Sequence, residues 1–304
     1  MSLFSGDNGI IFFENVITST KTLINSGLWK DINHRTLEEW IEYFETDKEK
    51  LLCGLILDSL ILRSRAQTKS LISNIIEKSI PQIIQTSHPD IAKEFHNIIT
   101  SKYPGRDLEK IIIVPVIRDI DPPTKSGPLV ARLYKKDMGI NDKFMQWPWK
   151  VSAKAENAKV VIFIDDFVGT GDQFLEFYKS FHFDSSSNDA AEYIYAPLGA
   201  CEEGIEKINI ELPKLKICKA ETILEENKFF AGLHLRYKGV DDILLNDIKS
   251  TYDAFINKVG HTNLKNKYGY GDLELTYAYA HGTPNATLPI LWAANEHYQP
   301  IFSR

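Results

Sequence analysis

The chain of 304 residues has little of what marks several common protein classes. It has three cysteines, Cys53, Cys201 and Cys218, and no C-x-x-C pair, so neither a disulfide framework nor a cysteine zinc site is expected. Thiols of this kind fit the interior of a protein in a reducing compartment. No apolar stretch approaches the ~18 residues of a membrane span. The N-terminus has acids where a signal peptide has basic residues. We therefore expect a cytoplasmic protein without a membrane partner.

The chain also has fewer basic than acidic residues, 35 Lys and Arg against 41 Asp and Glu. The net charge is −6, so no strong basic field attracts nucleic acid, and strong intrinsic nucleic-acid binding is not expected. The chain lacks a G-x-x-x-x-G-K-[ST] loop, which disfavours a P-loop nucleotide site. Its 43% hydrophobic and 25% charged residues are those of a globular protein with a substantial core.

The segment 160–174, VVIFIDDFVGTGDQF, holds the densest chemical pattern in the chain. Its first five residues are apolar and mostly β-branched, which predicts a strand covered on both faces, as in a parallel sheet flanked by helices. Asp165 and Asp166 follow where such a strand ends, and ligands of open α/β sheets bind at that edge. Gly169 and Gly171 then predict a tight loop whose N–H groups form an anion cradle at a helix N-terminus.

A sugar phosphate needs both halves of this pattern. Phosphate oxygens accept hydrogen bonds from backbone N–H groups and from the Thr170 hydroxyl, whereas ribose hydroxyls donate to carboxylates such as Asp165 and Asp166. One alternative stays open, a helix N-cap after a core strand with Asp166 in solvent. A Walker B strand is a second alternative, but it needs the phosphate loop that the chain lacks.

A similar unit precedes this segment. Residues 111–117 predict a buried strand, residues 118–127 a charged loop, and residues 128–139 a helix. This order builds a parallel crossover connection. The loop carries Arg118 and Lys125, so it is either an anion site or a solvated turn.

The C-terminal stretch is the second informative part. Residues 273–280 alternate apolar with small or polar residues, which predicts a half-buried strand. Two prolines stiffen the loop that follows, and its polar side chains are those of His281, Thr283, Asn285 and Thr287. A stiff backbone with several polar groups suits a fixed binding site. The alternative is a turn whose polar groups cap its own backbone.

Two parts are expected along the chain. Residues 1–104 predict a helical N-terminal part, and residues 105–304 predict the α/β domain with a C-terminal hood or loop. In the helical part, the second apolar stripe predicts a helix that reaches Leu62, and the third stripe is expected to end at Pro81. Residues 145–150, MQWPWK, predict a loop that packs on the core or covers the ligand.

The segment 160–174 resembles the motif of type I phosphoribosyltransferases that binds phosphoribosyl pyrophosphate (PRPP). With the K-S-G loop at residues 125–127 and the closing segment 283–292, TPNATLPILW, it resembles the PRTase-CE branch found in bacterial conflict systems. The resemblance covers most of the chain. It implies a phosphoribosyltransferase-like α/β fold, with a parallel sheet flanked by helices and an N-terminal helical cap.

The resemblance also implies a function. It implies a phosphoribosyltransferase-like effector of anti-phage defence that binds PRPP, or a related ribose phosphate or nucleotide, with Mg²⁺ and transfers or hydrolyses at ribose C1. The implied partner is a reverse transcriptase with its msDNA or another defence-system subunit. By resemblance, the catalytic residues are Asp165, Asp166, Arg118, Lys125, His281 and Asn285, of which Asp165 and Asp166 also hold the metal. The ligand-binding residues are Val168, Gly169, Thr170, Gly171, Asp172, Ser126, Gly127 and Thr287.

Departures from the family pattern keep a second function open. Phe167 stands where the family usually has a small aliphatic residue. Gly169 and Gln173 stand where it commonly has Thr or Ser, so two hydroxyl donors to the phosphate are missing. Asp172 adds a negative charge beside the expected phosphate. The missing hydroxyls favour a catalytically inactive module that senses PRPP or a nucleotide, whereas the intact acid pair and the polar C-terminal loop favour the enzyme. A structural subunit that only kept the fold is a third alternative.

Overall fold

A computed structural model describes residues 8–122, 125–151, 157–183, 191–262 and 264–302 of the protein. The chain forms two compact units. The first unit combines Met1–Arg65 with Leu224–Arg304, and the second is Ala66–Ile223. The expected boundary between residues 104 and 105 does not coincide with this division, because the two ends of the chain build one core together.

The helices and strands are as follows. The helices are α1 (Asn8–Asn25), α2 (His34–Ile41), α3 (Asp47–Asp58), α4 (Arg65–Asn74), α5 (Ile80–Ile84), α6 (Pro89–Thr100), α7 (Ser126–Met138), α8 (Asp172–Ser180), α9 (Glu202–Glu211), α10 (Phe229–Arg236) and α11 (Asp242–Lys258). The strands are β1 (Ile61–Arg63), β2 (Ile111–Pro115), β3 (Val160–Val168), β4 (Glu192–Cys201), β5 (Lys216–Ile217), β6 (Glu221–Ile223) and β7 (Tyr277–Tyr279). None of the described helices is long and apolar enough to cross a membrane.

In the first unit, β1 and β7 pair in parallel, with Leu62 opposite Ala278. The expectation that Leu62 continues a helix is therefore wrong, since α3 ends at Asp58 and the chain turns to meet a strand from its other end. The expectation of a half-buried C-terminal strand is also wrong. All three residues of β7 are buried, so both of its faces are covered.

Hydrogen bonds tie the C-terminus into this core. The Trp40 indole N–H donates to the Tyr298 hydroxyl at 2.7 Å, and that hydroxyl donates to the Ile290 carbonyl oxygen at 2.6 Å. Both rings are fully buried. Because buried polar groups are costly when unpaired, this chain of bonds specifies how the C-terminal residues pack against α2.

The second unit contains a five-stranded sheet with only parallel pairings among the described strands. The strand order is β2-β3-β4-β5, and β6 also pairs with β4. Ile162 at the centre of β3 lies opposite Ile113 of β2 and Ile194 of β4. This parallel sheet flanked by helices confirms the predicted fold class.

Aromatic packing fixes the helix that follows β3. Phe163 points into a buried cluster and meets Phe174, Phe177 and Tyr178 of α8 edge-on, with ring centroids 5.5 to 5.8 Å apart. Edge-to-face contacts of this kind are favourable beyond the area they bury. They set the direction of α8 and so the position of the loop between β3 and α8.

The helical segment around Pro81 does not end there, contrary to expectation. A π-helical turn, Ile75–Ser79, joins α4 to α5, and α5 continues to Ile84. In this turn the Ile80 N–H donates to the Ile75 carbonyl. A proline has no N–H to donate, and a π-turn shifts the hydrogen-bond ladder so that the helix continues past it.

The three cysteines are buried thiols. Cys53 lies in the first unit, and Cys201 and Cys218 lie in the second. Burial raises the pKa of the Cys53 thiol well above its usual range and that of Cys218 to about 12. The thiolate, which is the reactive form, is therefore scarce at these two positions.

Candidate functional site

The two adjacent aspartates lie near the carboxyl end of β3, as predicted. Asp165 lies opposite Pro197 of β4. On the other side, the Val116 N–H donates to the Ile164 carbonyl oxygen at 3.0 Å, so the end of β2 runs beside the aspartates. The carboxyl ends of three parallel strands therefore meet at one edge, where open α/β sheets bind ligands.

The surroundings of the two carboxyl groups differ. Asp165 is only 3% exposed, whereas Asp166 is half-buried. The Tyr195 hydroxyl donates to Asp165 Oδ2 at 2.9 Å, and the Asp166 backbone N–H donates to Asp165 Oδ1 at 3.0 Å. Tyr195 is itself buried and stacks on Phe174 of α8, with ring centroids 3.6 Å apart. Asp165 is thus fixed from behind, and Asp166 is the carboxyl group nearer to solvent.

Burial raises the pKa of Asp165 well above its usual range. The charge of Asp166 and a hydrogen bond between the two carboxyl groups raise it further, whereas the Tyr195 hydrogen bond opposes the shift. Two carboxylates in one poorly solvated place do not both ionise easily. The pair therefore favours states with fewer than two negative charges.

The loop from Gly169 to Gly171 joins β3 to α8 and offers backbone donors. Gly171 has φ +83°, which glycine adopts at little cost, and α8 begins at the next residue. The described residues show no acceptor for the backbone N–H groups of Thr170 and Gly171. Two such donors at the start of a helix are the groups that an anion cradle uses.

The charge of Asp172 is balanced inside the protein. Lys207 of α9 donates to Asp172 Oδ1 at 2.5 Å, and the Thr170 hydroxyl donates to Asp172 Oδ2 at 2.7 Å. The Lys207 hydrogen bond, followed by that of Thr170, lowers the pKa of Asp172. The negative charge expected to oppose a phosphate is therefore paired, and the hydroxyl expected to bind the phosphate already has an acceptor.

Two glycines bring the loop and α9 into direct backbone contact. A Cβ atom on Gly204 would lie 2.0 Å from the Gly169 carbonyl oxygen. A Cβ atom on Gly171 would lie 2.8 Å from the Gly204 carbonyl oxygen. No other residue fits either position without a shift of the backbone, so α9 supports the loop from beneath.

The loop between β2 and α7 places Arg118 differently from expectation. Its guanidinium donates to both carboxylate oxygens of Asp121, from Nη2 at 2.8 Å and from Nε at 3.2 Å. Nη1 also donates to Glu176 of α8. The hydrogen bond to Asp121 is the main cause of the raised pKa of Arg118. The guanidinium that was predicted to bind pyrophosphate is therefore paired with the carboxylates of Asp121 and Glu176.

The remaining residues of this loop lie at the start of α7. Lys125 immediately precedes the helix, and its charge contributes to the lowered pKa of Asp121. Ser126 is the first helical residue. A Cβ atom on Gly127 would lie 2.5 Å from the Val116 carbonyl oxygen, so a glycine is needed where α7 passes the end of β2.

The predicted site residues of the C-terminal loop belong to the first unit. Thr287 is fully buried, and its hydroxyl donates to the Tyr277 carbonyl oxygen at 2.5 Å. The Trp292 indole N–H donates to the Thr287 carbonyl oxygen at 2.8 Å. Thr287 thus fits the alternative in which polar groups of this loop cap its own backbone.

His281 and Asn285 have different environments within that loop. The His281 ring stacks on Tyr279, with centroids 4.7 Å apart and planes 22° apart. Asn285 is exposed, and its backbone carbonyl accepts a hydrogen bond from the Tyr270 N–H at 2.8 Å. The structure therefore groups the predicted residues into two sets, one in each unit.

Three residues that complete the site carry no signal in the sequence. Tyr195 lies 30 residues from Asp165, Lys207 lies 35 residues from Asp172, and Glu176 lies 58 residues from Arg118. A tyrosine within an apolar strand and charges on amphipathic helices are common in any globular protein. No local pattern could have paired them with their partners.

The sheet topology, the acid pair and the glycine loop together define a phosphoribosyltransferase-like α/β protein. Residues 37–304 match the family model of PRTase-CE, and the chain belongs to the PRTase-CE family. No curated protein and no solved structure matches the chain.

Proposed function

We propose that the second unit binds PRPP, or a related ribose phosphate or nucleotide, at the carboxyl edge of its sheet. The observation that carries this proposal is the half-buried Asp166 next to a loop with two available backbone N–H donors, those of Thr170 and Gly171. A single ligand that uses both has a phosphate and vicinal hydroxyls. The chain then acts as a phosphoribosyltransferase-like effector that transfers or hydrolyses at ribose C1.

In this proposal the two aspartates have unequal tasks. Asp166 accepts hydrogen bonds from the ribose hydroxyls. Asp165 lies behind it, and its two hydrogen-bond donors, the Tyr195 hydroxyl and the Asp166 N–H, keep it fixed. Firm positioning of the sugar matters because displacement at C1 gains most from a fixed geometry.

The leaving pyrophosphate needs cations. Lys125 lies at the start of α7, and Arg118 serves the same end if it exchanges Glu176 or Asp121 for phosphate oxygens. Cations aimed at developing negative charge lower the barrier of such a reaction. His281 and Asn285 are the residues proposed to contact the acceptor, and this role rests on family resemblance.

A magnesium ion suits this edge. Mg²⁺ is usually held by one or two carboxylates together with substrate phosphates, not by a cage of protein ligands. The carboxyl groups of Asp165 and Asp166 are the candidate ligands, and a bound cation would favour the doubly charged state that the pair alone disfavours. The described residues contain no cluster of three or more potential ligands. When bound, the ion would neutralise charge on the pyrophosphate.

Calorimetry with PRPP and MgCl₂ tests the binding step. The wild type should bind, and Asp166→Asn should weaken binding at least about tenfold, since hydrogen bonds to a charged group contribute about 1.5–3 kcal/mol. Asp142→Asn removes an exposed carboxylate elsewhere in the same unit and should leave binding unchanged. Absence of binding by the wild type would refute the proposal.

A second candidate function, a binding module without catalysis, is favoured by the engagement of Arg118 with two carboxylates. Release of pyrophosphate from PRPP separates the two functions. If the chain is an enzyme, the wild type releases pyrophosphate and Asp166→Asn does not. A sensing module binds PRPP and releases none.

The anti-phage role is supported by family membership alone. Plating of phages on bacteria that express the full defence locus, with the wild-type chain or with Asp166→Asn, tests it. Protection by the wild type that the variant loses would support the role. Equal plating on cells with and without the locus would refute it, and co-purification would reveal a reverse transcriptase with its msDNA or another subunit.

A further inference from the structure

Positive charge is concentrated in residues 131–150 of the second unit. The exposed cations of this stretch are Arg132, Lys135, Lys136, Lys143 and Lys150. With two acids, Asp137 and Asp142, the five cations give the stretch a net charge of +3, whereas the whole chain has −6. Within the described part of the chain, Lys135 is the only one of the five cations with an ion pair, to Asp142.

Three of these cations border one groove. Arg132, Lys135 and Lys136 of α7 line an open groove of about 510 Å³, whose other lining residues are Ala131, Asp142 and Met145. The chain beyond α7 is fixed at the edge of the sheet, because the Gln146 N–H donates to the Ile113 carbonyl oxygen at 2.8 Å. The groove therefore has rigid elements on both sides.

A pair of tryptophans follows directly. Trp147 and Trp149 are 40% and 51% exposed, and their rings stack with centroids 5.2 Å apart and planes 4° apart. Pro148 between them is buried and starts a short 3-10 turn, Pro148–Lys150. The two stacked rings are thus partly exposed next to the basic groove, at most ~7 Å along the chain from Met145 to Trp147.

We propose that this surface, residues 131–150, binds single-stranded nucleic acid. Exposed aromatic faces stack on bases of any sequence, and unpaired cations follow a phosphate backbone. Tryptophan, methionine and arginine also occur often in protein interfaces, but lysine is depleted there, so the four lysines favour a nucleic acid over a protein partner. The groove is too open to enclose a small ligand. The inference goes beyond the proposed function and does not depend on PRPP binding.

Fluorescence anisotropy of the full chain with a labelled oligo-dT of about 20 nucleotides tests the proposal, at salt concentrations from about 50 to 200 mM. The wild type should bind at low salt. Trp147→Ala with Trp149→Ala should weaken binding at least about tenfold, because each lost base stack costs about fivefold or more and two are lost. Trp147→Phe with Trp149→Phe keeps aromatic faces and should retain most of the affinity.

Charge variants give a second readout. Arg132→Gln with Lys136→Gln should lower the slope of log affinity against log salt by about 1.4, since each phosphate contact to a single strand contributes about 0.7. The control, Lys69→Gln with Lys78→Gln, removes two exposed charges from the same unit and should change neither slope nor affinity. Circular dichroism checks that every variant is folded.

Four results would overturn the proposal. They are no binding of oligo-dT at low salt, an equal loss in the control variant, equally tight binding of a duplex, and full displacement by a poly-glutamate peptide. The third would show that base stacking is not used. The fourth would assign the surface to an acidic peptide.

Discussion

At the scale of single residues, the site depends on two neighbouring carboxyl groups in different surroundings. Asp165 is buried beneath the Tyr195 hydroxyl, and Asp166 is nearer to solvent. Asp165 is therefore held in place by its hydrogen bonds, whereas Asp166 remains accessible to a ligand.

The first prediction concerns the pH dependence of stability. In the unfolded chain Asp165 titrates near its ordinary value of 3.8, whereas its pKa is well above this in the folded protein. The folded state therefore holds the proton more tightly. The stability from that proton is fully present below the unfolded pKa and is lost as pH rises through the folded pKa.

Asp165→Asn cannot ionise, and the Tyr195 hydroxyl can accept from its amide as well as donate. The free energy of unfolding of Asp165→Asn relative to wild type should therefore rise with pH, by up to about 1.4 kcal/mol per pH unit. Urea denaturation at several values between about pH 4 and 8 measures it. Asp142→Asn, an exposed control, should show no such trend, and a difference that is constant with pH would disprove the prediction.

The second prediction concerns the contact between two glycines. Gly204→Ala places a Cβ atom 2.0 Å from the Gly169 carbonyl oxygen, so the loop or α9 has to move. We expect a loss of about 1–3 kcal/mol in the free energy of unfolding, as for other overpacked positions, and weaker binding of ribose 5-phosphate. Gly282→Ala is the control, because nothing lies within 4 Å of its new Cβ atom. Equal stability of the two variants would contradict the close approach.

At the scale of elements, an ion pair between Arg118 and Glu176 links the loop between β2 and α7 to α8. The third prediction concerns this ion pair. Glu176→Gln removes a carboxylate that competes with pyrophosphate for the guanidinium, so affinity for Mg²⁺–pyrophosphate should increase a few-fold. The pair is mostly exposed on the Glu176 side, at 61%, so protein stability should change little.

Calorimetric titration with pyrophosphate measures this effect. Glu211→Gln is the matched control, since Glu211 is also a surface glutamate in an ion pair, with Lys179. An unchanged affinity in Glu176→Gln would mean that Arg118 does not bind the anion.

Elements specified by neighbouring residues were predictable, and those specified by distant ones were not. The run of apolar residues before Asp165 predicted β3, and the run at residues 111–117 predicted β2. Strand β1 was missed because its partner, β7, lies more than 200 residues away along the chain, with Ile61 opposite Tyr277. The aspartates and the glycine loop were likewise predicted from local sequence. Tyr195 and Glu176 were not, because only the fold brings them next to Asp165 and Arg118.

At the scale of the whole molecule, the two ends of the chain share one core. The fourth prediction is that removal of residues 294–304 unfolds the first unit. The lost side chains include Tyr298, Ile301 and Phe302, all buried. Burial of the last two alone is expected to contribute about 3–6 kcal/mol, a large part of the stability of a typical domain.

Near-UV circular dichroism of the truncated chain should lose the signal of Trp40, whose indole is hydrogen-bonded to Tyr298. Tyr298→Phe keeps the ring and removes only the hydroxyl, so it should fold with reduced stability. A truncated chain that unfolds at the wild-type urea concentration would refute the shared core.

The distribution of the three thiols supplies a reporter that no substitution has to introduce. One lies in the first unit and two in the second, and all are inaccessible while the protein is folded. A maleimide pulse at increasing denaturant, read peptide by peptide in a mass spectrometer, would therefore label Cys53 when the first unit opens and Cys201 and Cys218 when the second does. The order in which the three masses shift would reveal whether the units melt together or one after the other.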